Sequence, residues 1–492
     1  MPSILQTDGY KFSMAQAGFP TRRETFYLSF RRGGWQYVPF DLETEVRGML
    51  PDGEALAEIP GIRGYLDGVG YGMSSAMAAA LRAADVVIRA VPAGTWVYER
   101  EPIITITGPS FLVSWLEPQI LRLFFPLQLA TEVHRGNPRD IDKNMLFCTC
   151  DEQADIARRV LAAAGDHTHE VLSQHMPRSH GTISSAYARS VTERARALVE
   201  IVGDPARIFE VGMRSATCEA QHEICLAALR EAGIRSTSNV ALARKLDMFP
   251  VGTMGHEHVQ RWNSDRDAYR AMRDTRQGRP SYLLDTFDTI TSGIPAAIQV
   301  MREQAHEAAI RYDSGDKFGQ YIYAHGEFQR HGLEPTHVIE DSLDADMTAK
   351  FERLRAHTEL PPEKQVYGYG GYLVHGDWPN PLTRDRVSAV YKLSETSGEP
   401  RMKFGNEAGL GKVSVPGRPV VWRRLRGSGP LSIIGQAEEP VPEDYVALNG
   451  NPDALDRLRV CNIVSVVRDT PKCPYVLSPE TQRMVASLGG PR

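Results

Sequence analysis

The stretch EAAIRYDSGDKFGQYIYAHGEFQRHGLEPTHVIEDS, Glu307–Ser342, decides the fold. Two short apolar runs, Ala309–Tyr312 and Thr336–Ile339, flank a segment of helical spacing. Strand, helix and strand in this order form a parallel βα unit. Further runs lie outward on both sides: Arg207–Val211, Met248–Val251, Ser281–Leu284 and Gln365–Tyr367. Helical spacing fills the gaps, at Cys218–Glu231 (with Gly233 as a C-cap), Ala296–Ala309 and Asp344–Ala356. Nearly every run ends in a group able to hold a ligand: Gly212–Arg214, Thr253 and His256, Asp285, Asp313, Asp341, then Gly368–Gly371. In a barrel all of these strand ends converge on one mouth. In an open doubly wound sheet only those at the switch point meet. The series therefore favours an irregular TIM-like α/β barrel.

The flanks read differently. Residues 90–110 and 386–425 combine Pro, Gly and β-branched alternation, as antiparallel strands and turns do. They predict a second, α+β domain built from both chain ends. The expected division is 1–135 and 386–492 for that domain, 136–180 for a polar inserted segment with a helix near Glu152–Ala164, and 181–385 for the barrel.

Composition bounds the function. The 492 residues suffice for two or three domains, with 42% hydrophobic and 24% charged residues and a net charge of −5. No basic field points to nucleic acid. Six dispersed cysteines, without paired CxxC motifs, read as reduced thiols in a cytoplasmic protein. CTC at Cys148–Cys150 reads as packing. The N-terminus lacks the pattern of a signal peptide. The most apolar stretch, Met77–Val91, is interrupted by Arg82, Asp85 and Arg89, so no membrane span is expected.

Three constellations carry chemistry. In RYDSGD, Arg311–Asp316, Arg311 and Asp313 share one face of a strand end. A carboxylate there suits a ribose diol or a metal–diphosphate, and the arginine suits an anion. An Asx turn capping the next helix explains the same residues, and both readings stay open. In GYGGYL, Gly368–Leu373, glycines bring backbone N–H groups close to a phosphate, or simply turn the chain. In GTMGHEH, His256 follows a strand and offers an acid, a base or a phosphate acceptor, against a plain structural histidine. GLGKVS, Gly409–Ser414, lacks Walker spacing and reads as a strand turn. Histidines 167, 169, 175 and 180 match no zinc spacing and read as solvated loop residues.

Together the segments resemble the nicotinate phosphoribosyltransferases and the related nicotinamide phosphoribosyltransferases. The similarity runs in order through TDGYKFSMAQ (Thr7–Gln16), FYLSFRR (Phe26–Arg32), PAGTWVYEREPIITITGP (Pro92–Pro109), FEVGMRSA (Phe209–Ala216) and STSNVALA (Ser236–Ala243), then VGTMGHEH, LLDTFDTITSGIP, IRYDSGD, IEDSLD, YGYGGYL, LTRD and VYKLSETSGEPRMK. The resemblance implies a homodimer with shared active sites. It implies that Tyr10 reaches in from the partner subunit to stack on a pyridine ring. Arg214 would lie beside base and phosphate, Arg311 against the base, and Asp313 on the ribose. Asp341, Gly370 and Gly371 would hold ribose and 5′-phosphate. Asp285 is a further substrate contact, and Arg31, Arg384 and Lys392 surround the diphosphate. His256 would be the residue that ATP, a co-substrate, transiently phosphorylates. Magnesium would arrive with the diphosphate or ATP; no residue is assigned as a protein metal ligand.

The base is read at Ser238. Nicotinamide enzymes resemble GTD where this chain has Thr237-Ser238, and an aspartate there would repel a carboxylate. A neutral hydroxyl favours nicotinate. YGYGGYL and PLTRD look like the nicotinamide branch, which keeps nicotinamide as the alternative base; a non-catalytic nucleotide-binding paralogue is the alternative of another class. Val211 stands where the family usually has a ring-stacking phenylalanine, a loss of roughly 0.5–1.5 kcal/mol of stacking.

Overall fold

A computed structural model describes residues 3–83, 85–137, 141, 147–163, 180–276, 279–404, 414–461 and 475–488. The parallel strands are β1 (Ile208–Glu210), β2 (Ser236–Thr237), β3 (Phe249–Pro250), β4 (Ser281–Leu283), β5 (Ala309–Tyr312), β6 (Thr336–Ile339) and β7 (Gln365–Tyr369). They form one curled sheet in the order β3-β2-β1-β7-β6-β5-β4. All six adjacent pairs are parallel. Among the described residues no pairing joins β3 to β4. Pro250 accounts for one open side, because a residue without an N–H is confined to a sheet edge.

β5 and β6 are buried along their whole length, as expected for strands covered on both faces. They coincide with the two runs of the opening stretch. β2 was not among the runs: two polar residues leave no apolar signature. The helix expected over Ala296–Ala309 is Ile294–Glu303, because Gln304 turns extended and the chain must enter β5 at Ala309. The helices Glu219–Glu231 and Ala345–His357 lie within a residue of expectation. So does Asp151–Ala163 in the inserted segment.

A second sheet joins the chain ends. Strand Arg23–Phe30 pairs antiparallel with Ala389–Thr396 on one side and with Ile104–Pro109 on the other. Val87–Ala90 and Glu399–Pro400 complete its five strands. A smaller sheet holds Pro419–Arg424, Ser432–Gln436, Tyr445–Ala447 and Tyr475–Leu477. Each large sheet has its own apolar core. The N-terminal helix Gly9–Gln16 bridges them: Phe12 and Ala15 enter one core, Met14 and Ala17 the other. That double anchorage fixes Tyr10 at the seam. No helix among the described residues is long and apolar enough to cross a membrane. Histidines 167, 169 and 175, Cys473 and most of GLGKVS lie outside the described residues.

Candidate active site

The carboxyl ends of β1–β7 face the seam between the two large sheets. There a cavity of about 270 Å³ is lined from the strand ends by Val211, Arg214, Ser238, Thr253, Arg311 and Glu340, and from the N-terminal helix by Tyr10. Small inward side chains create it. Ser281, Ala309 and Thr336 stand in register across β4, β5 and β6, with Val338 one layer higher. Ser281, Ala309 and Thr336 are too small to fill the lumen as bulky branched residues fill an ordinary barrel core.

RYDSGD forms the capping turn that one reading of its sequence predicted. Gly315 takes φ +80° to turn the chain, and Asp316 caps helix Lys317–Arg330 by accepting from Gly319 N at 3.1 Å. Asp313 is thereby left to face the site. Its Oδ1 accepts from Arg311 Nη2 at 3.1 Å, and its Oδ2 lies 3.2 Å from His256 Nε2. Burial alone would raise the Asp313 carboxyl, but the charge of Arg311 and the contact with His256 outweigh it and hold it well below the usual range. Arg311 also reaches Thr253 Oγ1 and Met254 O, with Glu340 at 3.5 Å.

His256 opens helix His256–Trp262. Arg261 of that helix bonds Glu24 of the antiparallel sheet at 2.9 Å, both nearly inaccessible, which pins the helix across the seam. His256 Nδ1 lies 3.1 Å from Thr286 Oγ1. Its Nε2 faces a donor, Lys403 Nζ at 2.7 Å, and an acceptor, Asp313. A single ring nitrogen serves only one of them at a time. Burial, then the Lys403 charge, lowers the imidazole to about 4, so it is neutral and has a lone pair to offer. His256, Asp285 and Asp313 can present ligand atoms within 4.8 Å of one another. Asp285 Oδ2 accepts from Ser314, while its buried Oδ1 has no hydrogen-bond partner.

Around this core several cations crowd one another. Burial pushes Lys392 well below its ordinary range, and the charges of Lys403 and Arg31 push it further. Burial and Arg214 likewise lower Arg384. Such crowding costs energy unless a polyanion fills the space. Asp341 sits at φ +60° with its backbone oxygen held by Lys317, and the fields of Arg31 and Arg384 reach its exposed carboxylate. Gly370 precedes the short turn Gly371–Val374; a Cβ on Gly371 would come within 2.6 Å of Asp385 Oδ2, so a larger residue there would have to turn that carboxylate aside.

The structure thus gathers Tyr10, Arg214, Ser238 and Arg311 on the cavity, and Asp285, Asp313 and His256 at its rim. Arg31, Arg384, Lys392 and Asp341 are close enough to bias one another. Tyr10 lies on the cavity of its own chain and donates to Glu117 Oε2 at 2.9 Å. One expectation is corrected. Ser238 does not leave its corner free of carboxylates. Its hydroxyl donates to Asp8 Oδ1 at 2.5 Å, which puts an acid where the sequence reading had none. Burial raises the Asp8 carboxyl, against the pull of Arg214. Val211 lines the cavity together with Phe209, two residues earlier on the same strand face, so an aromatic wall remains. The sequence reading missed Asp8, Glu117, Thr286 and Lys403. Asp8 and Lys403 stood inside quoted motifs, but nothing local marked them as neighbours of Ser238 and His256. CTC does not pair within itself; Cys150 Sγ lies 3.4 Å from Cys218 Sγ, across two helix starts.

Two predictions arise here. A Cβ at Gly252 would fall within 2.8 Å of Tyr10 Cα. Gly252→Ala is expected to cost about 1–3 kcal/mol of stability and to displace Tyr10. Urea denaturation and intrinsic fluorescence check it; an unshifted midpoint refutes the contact. Burial also lowers His256 and His258 to about 4 and His337 to about 3. Unfolded, each binds a proton near pH 6.5; folded, each does so only near pH 3–4. Between those values the unfolded state holds more protons, so stability falls as pH drops through this window. The urea midpoint should decline by several kcal/mol equivalents between about pH 7.5 and 4.5, and a flat profile would contradict neutral burial.

No protein-family model matches the chain. The curated nicotinate phosphoribosyltransferase of Bacillus subtilis is 27% identical over 273 residues, 53% of this chain and 50% of its own length. One from Mycobacterium tuberculosis is 29% identical over 220 residues, 43% of each. The chain is related to the nicotinate phosphoribosyltransferases. It spans about half the length, or somewhat less, of the curated relatives it matches. Crystal structures of nicotinate phosphoribosyltransferases from Porphyromonas gingivalis and Vibrio cholerae share the fold. Their TM-scores are 0.55 and 0.52 at 18% identity, over 83% and 82% of this chain and 95% and 89% of theirs.

Proposed function

We propose that the chain is a nicotinate phosphoribosyltransferase acting in NAD salvage, forming nicotinate mononucleotide and diphosphate from nicotinate and phosphoribosyl diphosphate with ATP as co-substrate. The observation that carries this reading is a neutral His256 set between Lys403 and the acids Asp313 and Asp285, with Arg311 on Asp313 and with Arg31 and Lys392 near enough to be biased by Asp313 and Lys403. Displacing diphosphate builds positive charge on the anomeric carbon and negative charge on the leaving group. In this reading Asp313 faces the ribosyl carbon, while the cations face the diphosphate. Magnesium comes with the diphosphate as part of the substrate; the unpartnered Asp285 Oδ1 is a hard oxygen suited to it. His256 Nε2 accepts a phosphoryl group from ATP, and Lys403 stabilises the charge that arrives. Gly370 and Gly371 serve the 5′-phosphate, and Tyr10 with Phe209 flanks the pyridine ring.

The same reading takes the curled sheet as an irregular barrel, residues 181–385, beside the domain of 1–135 and 386–492. It takes the protein as cytoplasmic. It takes the assembly as a homodimer with shared active sites. Nicotinamide is the second reading, favoured by one observation: Asp8 beside Ser238 is able to accept an amide N–H. Purified protein assayed with phosphoribosyl diphosphate, magnesium and each base, with and without ATP, separates the readings. Preference for nicotinate and ATP stimulation are expected; preference for nicotinamide reverses the base, and absent diphosphate release leaves a non-catalytic binder.

A further inference from the structure

The cavity does not stop at the strand ends. It continues between the strands to the level of Ser236, Ser281, Ala309 and Thr336, about two residues or roughly 6.6 Å below Arg311. This lower half has a charge character of its own. Across the whole lining there are four arginines, Arg214, Arg276, Arg279 and Arg311, against two carboxylates, Asp8 and Glu340. The upper arginines are matched: Arg214 lies 3.5 Å from Glu117, and Arg311 pairs with Asp313 and Glu340. The lower two bond only neutral oxygens among the described residues. Arg276 Nη1 donates to Gly252 O at 2.5 Å, and Arg279 Nη1 to Thr336 Oγ1. Ser281, 5% exposed and on the same lining, has a buried hydroxyl with no hydrogen-bond partner. Arg276 is partly buried and Arg279 exposed at the lower end of the cavity, so both keep some water; with the orphan hydroxyl of Ser281, and with the two lining carboxylates at the upper end, they give this level a positive bias that suits an anion.

We infer that Arg276 and Arg279, with Ser281, form the anion-selecting floor of the base site and receive the carboxylate of the pyridine substrate, so that they set its preference over a neutral amide. The inference rests on the proposed function for the identity of the base. It assigns to these two residues a discrimination that Ser238, sharing its corner with Asp8, does not provide. A ring between Tyr10 and Phe209 would direct its carboxylate downward, away from Asp8 and Glu340 and toward the two cations. The arrangement selects by charge: the two cations attract a carboxylate, whereas an amide gains only the neutral hydroxyls of Ser281 and Thr336.

The test reads binding, so that it does not depend on turnover. Dissociation constants for nicotinate and for nicotinamide are measured by calorimetry on the full chain, on R276Q, on R279Q, on the double variant and on R276K. The expected result is a wild-type preference for nicotinate that falls at least tenfold in R276Q/R279Q and is largely kept in R276K. Each preference is an internal ratio, so a partly folded variant does not distort it. An unchanged ratio in the double variant overturns the inference, as does a wild type that binds neither base. Turnover of the wild-type chain then bears on the proposed function separately: a chain that binds nicotinate through Arg276 and Arg279 yet releases no diphosphate keeps this floor and loses the transferase reading.

Discussion

Asp313→Ala is expected to lower kcat/KM for phosphoribosyl diphosphate by about 10²–10³-fold, because under the proposed function it removes a preorganised charge from where positive character develops. It also strips Arg311 and His256 of a shared partner, at 3.1 and 3.2 Å. Arg311 keeps Glu340 at 3.5 Å and the Met254 carbonyl, so the cation is not wholly orphaned and the chain still folds. Asp313→Asn separates charge from shape: it retains the volume and loses the carboxylate, and should fall nearly as far. Steady-state kinetics with both substrates varied, together with a urea midpoint to correct for stability, measures it. A loss of less than threefold in both variants would remove Asp313 from the reacting centre.

His256→Ala is expected to take the ratio of the rate with ATP to the rate without it down to one, and to leave the slow uncoupled transfer of the proposed function in place. The imidazole is neutral because burial and Lys403 lower it to about 4, so its lone pair is available throughout the neutral range. Coupling should therefore hold its level as pH falls from about 8 to 5 and decline only as pH approaches 4. Acid-labile labelling of the protein by ATP, present in the wild type and absent in the variant, is the direct readout. Retained ATP stimulation in His256→Ala would give the phosphoryl acceptor role to another residue.

The sequence showed more of the fold than of the site's wiring. β5 and β6 were legible to the residue because a parallel strand covered on both faces is an unbroken apolar run, here Ala309–Tyr312 and Thr336–Ile339. β2 was illegible because two residues, Ser236 and Thr237, carry no period. Strand ends were equally legible: a polar residue just past an apolar run has to lie at the carboxyl edge, which placed Arg214, His256, Asp285 and Asp313 on one side before any coordinates. The antiparallel character of 90–110 and 386–425 was visible in their alternation. The register that sets Tyr27 opposite Lys392, and so aims Lys392 at the site, was not.

By itself the sequence determined all but one of the parallel strands, the side of the sheet that carries chemistry and the residue types available there, because those follow from local period and turn chemistry. Only the tertiary structure decided the pairings: Lys403 on His256 from 147 positions away, Asp8 on Ser238 from 230, and Arg261 on Glu24 from 237. It also decided that Tyr10 lies on the cavity of its own chain, and that small side chains leave the lumen open down to Arg276 and Arg279. The reason is physical. Backbone period is written in neighbouring residues, whereas electrostatic partnership and empty volume depend on how separately folded layers pack, and no local pattern encodes that distance.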